Sequence, residues 1–542
     1  MAPQTLSITT NTIVTIPFLL LFFGVMILVG VYCRRNATDV NGFVLGGRSV
    51  GPWLTAFAFG TSYFSAVIFV GYAGQFGWNF GLASTWIGLG NAFIGSLLAW
   101  VILGRRTRVM TQALGSRTMP DFFEKRYDSH ALKIAASFIV FVFLIPYTAS
   151  LYNGLSGLFN AAFNIPYAVV VIVMAALTGV YVIFGGYMAT AINDFIQGII
   201  MLVGIVVVIA AVLNANGGAG EAIFNLSQIP STYPETAGQQ GAFTSFFGTQ
   251  PFYLLIVVLL TSLGTWGLPQ MVGKFYSIKN EDAIKKGTII STVFAIIVAG
   301  GCYFLGGFGR LYANNPAIYN AAGGVMHDRI VPTMLSTLPA IVIALVIVLV
   351  LSASMSTLSS LALTSSSTLA LDVLLPAITK RKKEEISEKK SVLVMRLLIV
   401  FFVALSAVIA ILKDTVWADS VFIAQMMGVS WGALAGAFLA PFLYGLYSKR
   451  ISKPAVATCF VFGTGLEIVQ LLKSVGLLRI EGGFFGFIFK NSLYSGVFAM
   501  VGGLVLVPLV SLVTAKWIPK NTEESFSCFD QFVTTDITDS LG

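Results

Sequence analysis

Runs of about 20 apolar residues follow one another along most of the chain, and each is long enough to cross the hydrocarbon core of a bilayer. In lipid every backbone N–H and C=O must find its partner inside the protein, so continuous apolar runs can cross only as helices. Barrel strands would alternate apolar and polar residues, and these runs do not. The chain is 56% hydrophobic and 10% charged, against about 25% charged for a soluble protein. The expected fold class is therefore an all-α polytopic membrane protein with about 13 transmembrane helices.

The spans are expected near 12–33, 52–76, 83–103, 131–154, 165–184, 191–213, 251–272, 287–309, 333–371, 391–412, 421–446, 454–476 and 492–515. The ninth is too long for one crossing and must bend or project beyond the membrane. No basic segment precedes the first apolar run as in a cleavable signal, so the first helix is expected to stay.

Basic residues orient such a chain, because Lys and Arg gather on the cytoplasmic side. With the N-terminus outside, 26 of the 32 Lys and Arg fall on inner segments, and six fall outside. The polar loop 214–250 contains neither Lys nor Arg. The expected location is the plasma membrane, with the C-terminus cytoplasmic. The net charge of +9 is mostly this topology signal, so no nucleic-acid partner is expected. The tail after Lys520 is polar and acidic and is expected to be flexible. Cys33, Cys302, Cys459 and Cys528 are widely spaced, and His occurs only at 130 and 327. Neither a disulfide framework nor a His-based metal site is expected.

The stretch Ala353–Thr368, "ASMSTLSSLALTSSST", holds ten Ser or Thr in sixteen residues and no charge. One or two hydroxyls in a membrane helix commonly bond back to their own helix or help helices pack. Ten are harder to assign to packing alone. Ala353, Ser356, Thr357 and Ser360 share one helical face. Hydroxyls and freed carbonyls suit a monovalent cation, whereas clustered carboxylates favour divalent ions. This face can be half of a sodium site, and the other half must come from a helix with exposed carbonyls.

Two stretches offer such carbonyls. "FGTSYFSA", Phe59–Ala66, interrupts the second span, and "LGTWGLPQ", Leu263–Gln270, interrupts the seventh. Irregular backbone at membrane depth lines a cavity or lies buried in protein. Paired interruptions in corresponding helices point to the binding site of a repeat-built transporter. Asp194 lies near the start of the sixth span, where an acid marks an ion path or the headgroup boundary. Glu467, in the twelfth span, is read as packing.

The order and spacing of "FVLGGRSVGPW", "TSYFSA", "RTMPDFFEKRY", "FGGYMATAINDFIQG", "GLPQMVGKFYSIKN", "MSTLSS" and "GAFLAPFLYGLYSKR" resemble the sodium/solute symporter family over roughly residues 40–450. The pantothenate and proline branches are similar. The resemblance implies a five-plus-five inverted repeat with broken helices, working by alternating access. Its parts would be 1–51, an N-terminal helix and inner loop; 52–213, the first repeat; 214–250, the outer loop; 251–446, the second repeat; 447–515, two added helices; and 516–542, a cytoplasmic tail.

It further implies a sodium held by the carbonyls of Thr61, Phe64 and Ala353 and the hydroxyls of Ser356 and Thr357. In some members a serine pair and an acid form a second sodium site nearer the cytoplasm, and the matching residues are Asp194, Ser359 and Ser360. Tyr63 stands where the proline branch carries an acid, and Thr261 and Thr265 replace its aromatic residues. The pantothenate branch has a Tyr at the position of Tyr63. The implied partners are sodium ions, the bilayer and a small solute: a carboxylate such as pantothenate or a monocarboxylate, or an amino acid. Candidate solute residues are Tyr63, Ser65, Tyr147, Thr265, Trp266 and Gln425, each of which core packing would explain as well. Sodium is the coupling ion, and no organic cofactor is expected. The chain is expected to be a monomer or weak homo-oligomer.

Other classes fit less well. A channel would carry a symmetric filter or charged rings. A membrane-embedded enzyme would need a triad, metal ligands or paired acids within spans. A proton-coupled permease of the same fold would replace the hydroxyl pair with a basic residue, and none stands between Leu335 and Leu375.

Overall fold

The computed structural model describes residues 2–163, 165–320, 323–383, 386–416 and 423–530. Among these the regular structure is helical, with two isolated bridges, Val50–Ile278 and Tyr319–Val325, outside it. Ten helices are long and apolar enough to cross a membrane, or eleven with one bent pair. Two of the ten run to 47 and 49 residues, and each covers two of the expected spans. Both are interrupted at a glycine with positive φ, Gly81 at +62° and Gly186 at +54°. Only a residue without Cβ adopts that conformation at little cost.

The elements that build the site are α1 (Ala2–Cys33), α2 (Pro52–Tyr63), α3 (His130–Phe163), α4 (Tyr167–Ala215), α5 (Pro251–Leu263), α6 (Pro269–Tyr276), α7 (Ala340–Leu369), α8 (Ile423–Tyr447), α9 (Lys453–Ser474) and α10 (Ser492–Val513). The start of the expected eleventh span, at 421–422, lies outside the described residues. The expected ninth span is divided. His327–Leu335 is a separate helix, and α7 begins only after Pro339. Proline lacks the N–H that would continue a helix from the preceding residues. Beyond Leu369 the helical path continues through a π-turn, Ala370–Leu374, into Leu375–Lys382.

α7 is buried along most of its length and packs on α4, where the Tyr181 hydroxyl donates to the Met355 carbonyl at 2.9 Å. α8, α9 and α10 pack closely through small residues. A Cβ on Gly463 would stand 2.3 Å from the carbonyl carbon of Gly436, so that crossing requires glycine. Glu467 is fully buried there, against Gly432.

Several of the basic segments expected on the inner side lie near one another. Arg48 donates to the carbonyls of Tyr276 at 3.2 Å and Ser116 at 2.6 Å. Arg105 pairs with Glu281 at 2.7 Å, and Lys453 with Asp128 at 3.1 Å. Val50 and Ile278 form a parallel bridge between the approaches to the two interrupted spans. At the opposite end Arg310 donates to Trp78 O at 2.8 Å, and Tyr233 donates to Asn79 at 2.7 Å.

The expectation of a flexible tail is overturned for residues 522–530, which are helical and docked. Phe526 and Cys528 are buried, and the Arg126 guanidinium lies 4.9 Å over the Phe526 ring. Phe526 and Phe529, set among acids, give this segment an apolar face that the sequence reading passed over. Residues 531–542 lie outside the described part.

Candidate functional site

The first interruption forms where small and hydroxylic residues follow α2. Thr61 turns its hydroxyl back to Phe57 O at 2.8 Å, a bond that competes with regular helix geometry. Phe64 leaves the helix at φ −99° and ψ 86°. Its N–H still reaches Gly60 O at 3.0 Å, but Ile68 and Phe69 both bond to Ser65 O. Carbonyls upstream of Ser65 are thereby released from the ladder.

The Thr61 carbonyl accepts from Ser356 Oγ and from Thr357 Oγ1, each at 3.2 Å. The same two hydroxyls lie 3.3 and 3.1 Å from Ala353 O. Four oxygens thus converge with only two protons among them, since each hydroxyl carries one. These spacings exceed the usual 2.7–2.8 Å of an O–H···O bond, whereas Ser356 Oγ also reaches Ser352 O of its own helix at 2.8 Å. An oxygen-rich, uncharged and fully buried cluster of this kind fits a hard monovalent cation. The Phe64 residue stands in the same interruption.

Other hydroxyls of α7 have local partners. Ser352, Ser354 and Ser359 bond back to Val348 O at 2.7 Å, Val350 O at 2.9 Å and Ser356 O at 2.9 Å. Ser360 instead turns away from its own helix. Its oxygen lies 2.7 Å from Ser62 Oγ and accepts from Lys274 Nζ at 2.9 Å. Lys274 is 3% exposed and stands 3.6 Å from Asp194. Asp194 and Ser360 are therefore brought together, while Ser359 is turned aside. Lys274 was counted in the sequence with the basic residues of an inner segment. Its place in an interrupted helix, "GLPQMVGK", was the signal that could have singled it out. Ser360, Thr364 and Ser367 share a face of α7 and line a cleft with Tyr187, Gln270 and Lys274.

The second interruption is built differently. A short 3-10 turn, Gly264–Gly267, joins α5 to α6 with a bend of 46°. Leu268 is extended, and Pro269 starts α6 where no N–H is needed. Thr265 donates to Ser262 O at 2.9 Å and approaches Gly95 O at 3.2 Å, and Trp266 Nε1 donates to Ile94 O at 3.0 Å. These two candidate solute residues are bonded to backbone. Tyr63 reaches across and donates to Thr261 O at 2.5 Å. Tyr63 and Tyr147 both lie 6.0 Å, centroid to centroid, from Trp431 of α8. The hydroxyls of Tyr147 and Ser65 and the indole N–H of Trp431 are buried without a hydrogen-bond partner among the described residues. Gln425 is half-buried at the start of α8 and is not part of this trio. Trp431 was missed in the sequence, where it stands alone among small residues in "GVSWGALAG".

Elsewhere Lys133 pairs with Asp121 at 3.1 Å and Glu124 at 2.7 Å. Asp372, in the π-turn after α7, accepts from Thr118 at 2.6 Å. Burial pushes the Asp121 carboxyl up, but Lys133 and Lys125 outweigh it and hold the group below the usual carboxylate range.

A family model described as the sodium:solute symporter family matches residues 43–463. The chain belongs to the sodium:solute symporter family. A sodium/proline symporter of Staphylococcus aureus (strain JH9) is 28% identical over 504 residues, covering 92% of each chain. A solved structure of a Na+-coupled sialic acid symporter, substrate-bound and outward-open, aligns with a TM-score of 0.72 at 18% identity. That alignment covers 93% of this chain and 97% of the other, and it shows that the fold is shared. For this family member, the expected helical transporter architecture with interrupted helices stands.

Proposed function

We propose that this family member imports a small organic solute across the plasma membrane by alternating access, driven by sodium held between α2 and α7. One observation carries the reading: the hydroxyls of Ser356 and Thr357 converge with the carbonyls of Thr61 and Ala353. Phe64 O completes the ligand set. The hydroxyl pair is intact, which favours sodium over a proton-coupled permease.

Tyr63, Ser65, Tyr147 and Trp431 form the solute pocket, with Thr265, Trp266 and Gln425 at its margins. The unpartnered polar atoms of Ser65, Tyr147 and Trp431 suit a solute with a carboxylate or an amino-acid backbone. The serine-lined cleft below the ion leads sodium toward the cytoplasm. The N-terminus lies outside, residues 52–213 and 251–446 are the two repeats, and the protein acts as a monomer or weak homo-oligomer.

The test is uptake into proteoliposomes of proline, pantothenate, short monocarboxylates, sialic acid and sugars, each with and without a sodium jump. Sodium-stimulated uptake of a carboxylate or amino acid is expected. Uptake unchanged when choline replaces sodium would defeat the reading. Single cysteines in 214–250 and 380–390, labelled in intact cells, test the orientation; only the first should react.

A further inference from the structure

A buried lysine stands between Asp194 and Ser360. Lys274 belongs to α6, yet its ammonium lies against Ser360, 86 residues away in sequence, at 2.9 Å. Asp194 Oδ2 is 3.6 Å away, and the Tyr187 ring centroid is 5.4 Å away. Asp194 is fully buried, and neither of its oxygens takes a hydrogen bond among the described residues. Lys274 is its counter-ion.

We infer that the Lys274 ammonium is a tethered cation that fills the position between Asp194 and Ser360, so that the protein binds one sodium ion per chain. The inference rests on the proposed sodium-symporter reading.

The argument is one of charge and of available oxygens. Asp194 and Lys274 together are neutral. The Asp194 carboxylate, the charge at this position that would draw a sodium ion, is already matched by Lys274, and an ion added beside the ammonium would meet its repulsion. An ammonium and a sodium ion also compete for the same lone pairs. Ser360 Oγ already accepts from Lys274 and shares a hydrogen bond with Ser62 Oγ at 2.7 Å. Ser359, the other hydroxyl of the expected pair, donates to Ser356 O at 2.9 Å, within its own helix. The position therefore has one carboxylate, and its charge is spent on the lysine. The first ion site differs, because no ammonium approaches Thr61, Ser356 or Thr357 in the hydrogen bonds they make.

The probe is radioactive sodium, titrated to saturation on the purified full-length protein in nanodiscs, with bound ions counted per chain. One is expected for the wild type and one for Lys274→Arg, which keeps the cation. Two are expected for Lys274→Gln, whose freed Asp194 and Ser360 become ligands, and one again for Lys274→Gln with Asp194→Asn. Two ions on the wild type would overturn the inference and leave the sodium reading intact. One ion on a Lys274→Gln protein that elutes as a folded species would also overturn it. No saturable binding by the wild type would remove the sodium reading, and the inference with it. If Lys274→Gln does not fold, the wild-type count still decides, one ion supporting and two opposing.

Discussion

The two helix interruptions have similar sequences of small, hydroxylic and aromatic residues, yet they do different work. At the first, Thr61 O is released from its own helix and faces two hydroxyls of α7. At the second, Thr265 and Trp266 are bonded to backbone, to Ser262 O and Ile94 O, while both polar atoms of the buried Gln270 amide lack a partner among the described residues. One interruption presents a freed acceptor to a partner helix, and the other ties Thr265 and Trp266 to backbone. The difference teaches that a broken helix is an ion site only when a partner helix brings hydroxyls to the freed carbonyl. The second interruption bends the span by 46°, and its downstream half, α6, carries Lys274.

Removing the hydroxyls is the strongest test of that contrast. Ser356→Ala with Thr357→Ala takes two oxygens from the proposed ion site. At about 1–1.5 kcal/mol each, and 1.4 kcal/mol per factor of ten, sodium affinity should fall about 100-fold. Sodium titration of the purified protein reads this, and an unchanged affinity would move the ion elsewhere.

The two interruptions meet at Gly95, and crowding them there comes next. A Cβ at this position would lie 2.2 Å from the Tyr63 hydroxyl, and Thr265 approaches the Gly95 carbonyl at 3.2 Å. Gly95→Ala must displace Tyr63 from Thr261 O. Overpacking of this kind costs about 1–3 kcal/mol. Thermal unfolding in detergent should show the loss, and a neutral result would mean that the contact between the interruptions is not tight.

Trp266→Phe keeps the ring and loses only the bond to Ile94 O. It should cost about 1 kcal/mol of stability and leave sodium affinity unchanged. A drop in sodium affinity would contradict the assignment of the second interruption to packing.

The smallest effect concerns acid. Asp121 titrates below the usual carboxylate value of about 3.9 because Lys133 and Lys125 outweigh the effect of burial. A depressed folded-state pKa contributes stability above the unfolded value, and that stability is lost as pH falls through the folded one. Melting temperature should be flat, as far as this group is concerned, from pH 7 to about 5 and should drop below about 4. In Asp121→Asn that acid drop should shrink, while sodium binding at pH 7 stays near wild type.

Much of the proposed ion site was legible because its signals are local. Thr61 stands among hydroxyls and glycine in an apolar run, Ser356 and Thr357 share one helical face, and the structure brings these three together. The same locality misled the reading at 333–371, where a hydropathic run conceals the stop at Pro339. It also misassigned the tail, whose Phe526 finds Arg126 only in the folded chain.

By itself the sequence determined a helical membrane protein, the face that carries hydroxyls, the places where helices break and the sorting of basic segments to one side. Hydropathy, helical period and backbone chemistry act over a few residues, so they can be read without a fold. Only the tertiary structure decided which interruption meets those hydroxyls, that Trp431 joins Tyr63 and Tyr147, and that Lys274 is no surface charge. Those facts depend on contacts between residues far apart in the sequence, such as Tyr63 with Trp431 and Thr61 with Thr357. Lysine is read from sequence as a water-seeking group, and it is held in the interior here because the fold sets Asp194 and Ser360 around its ammonium.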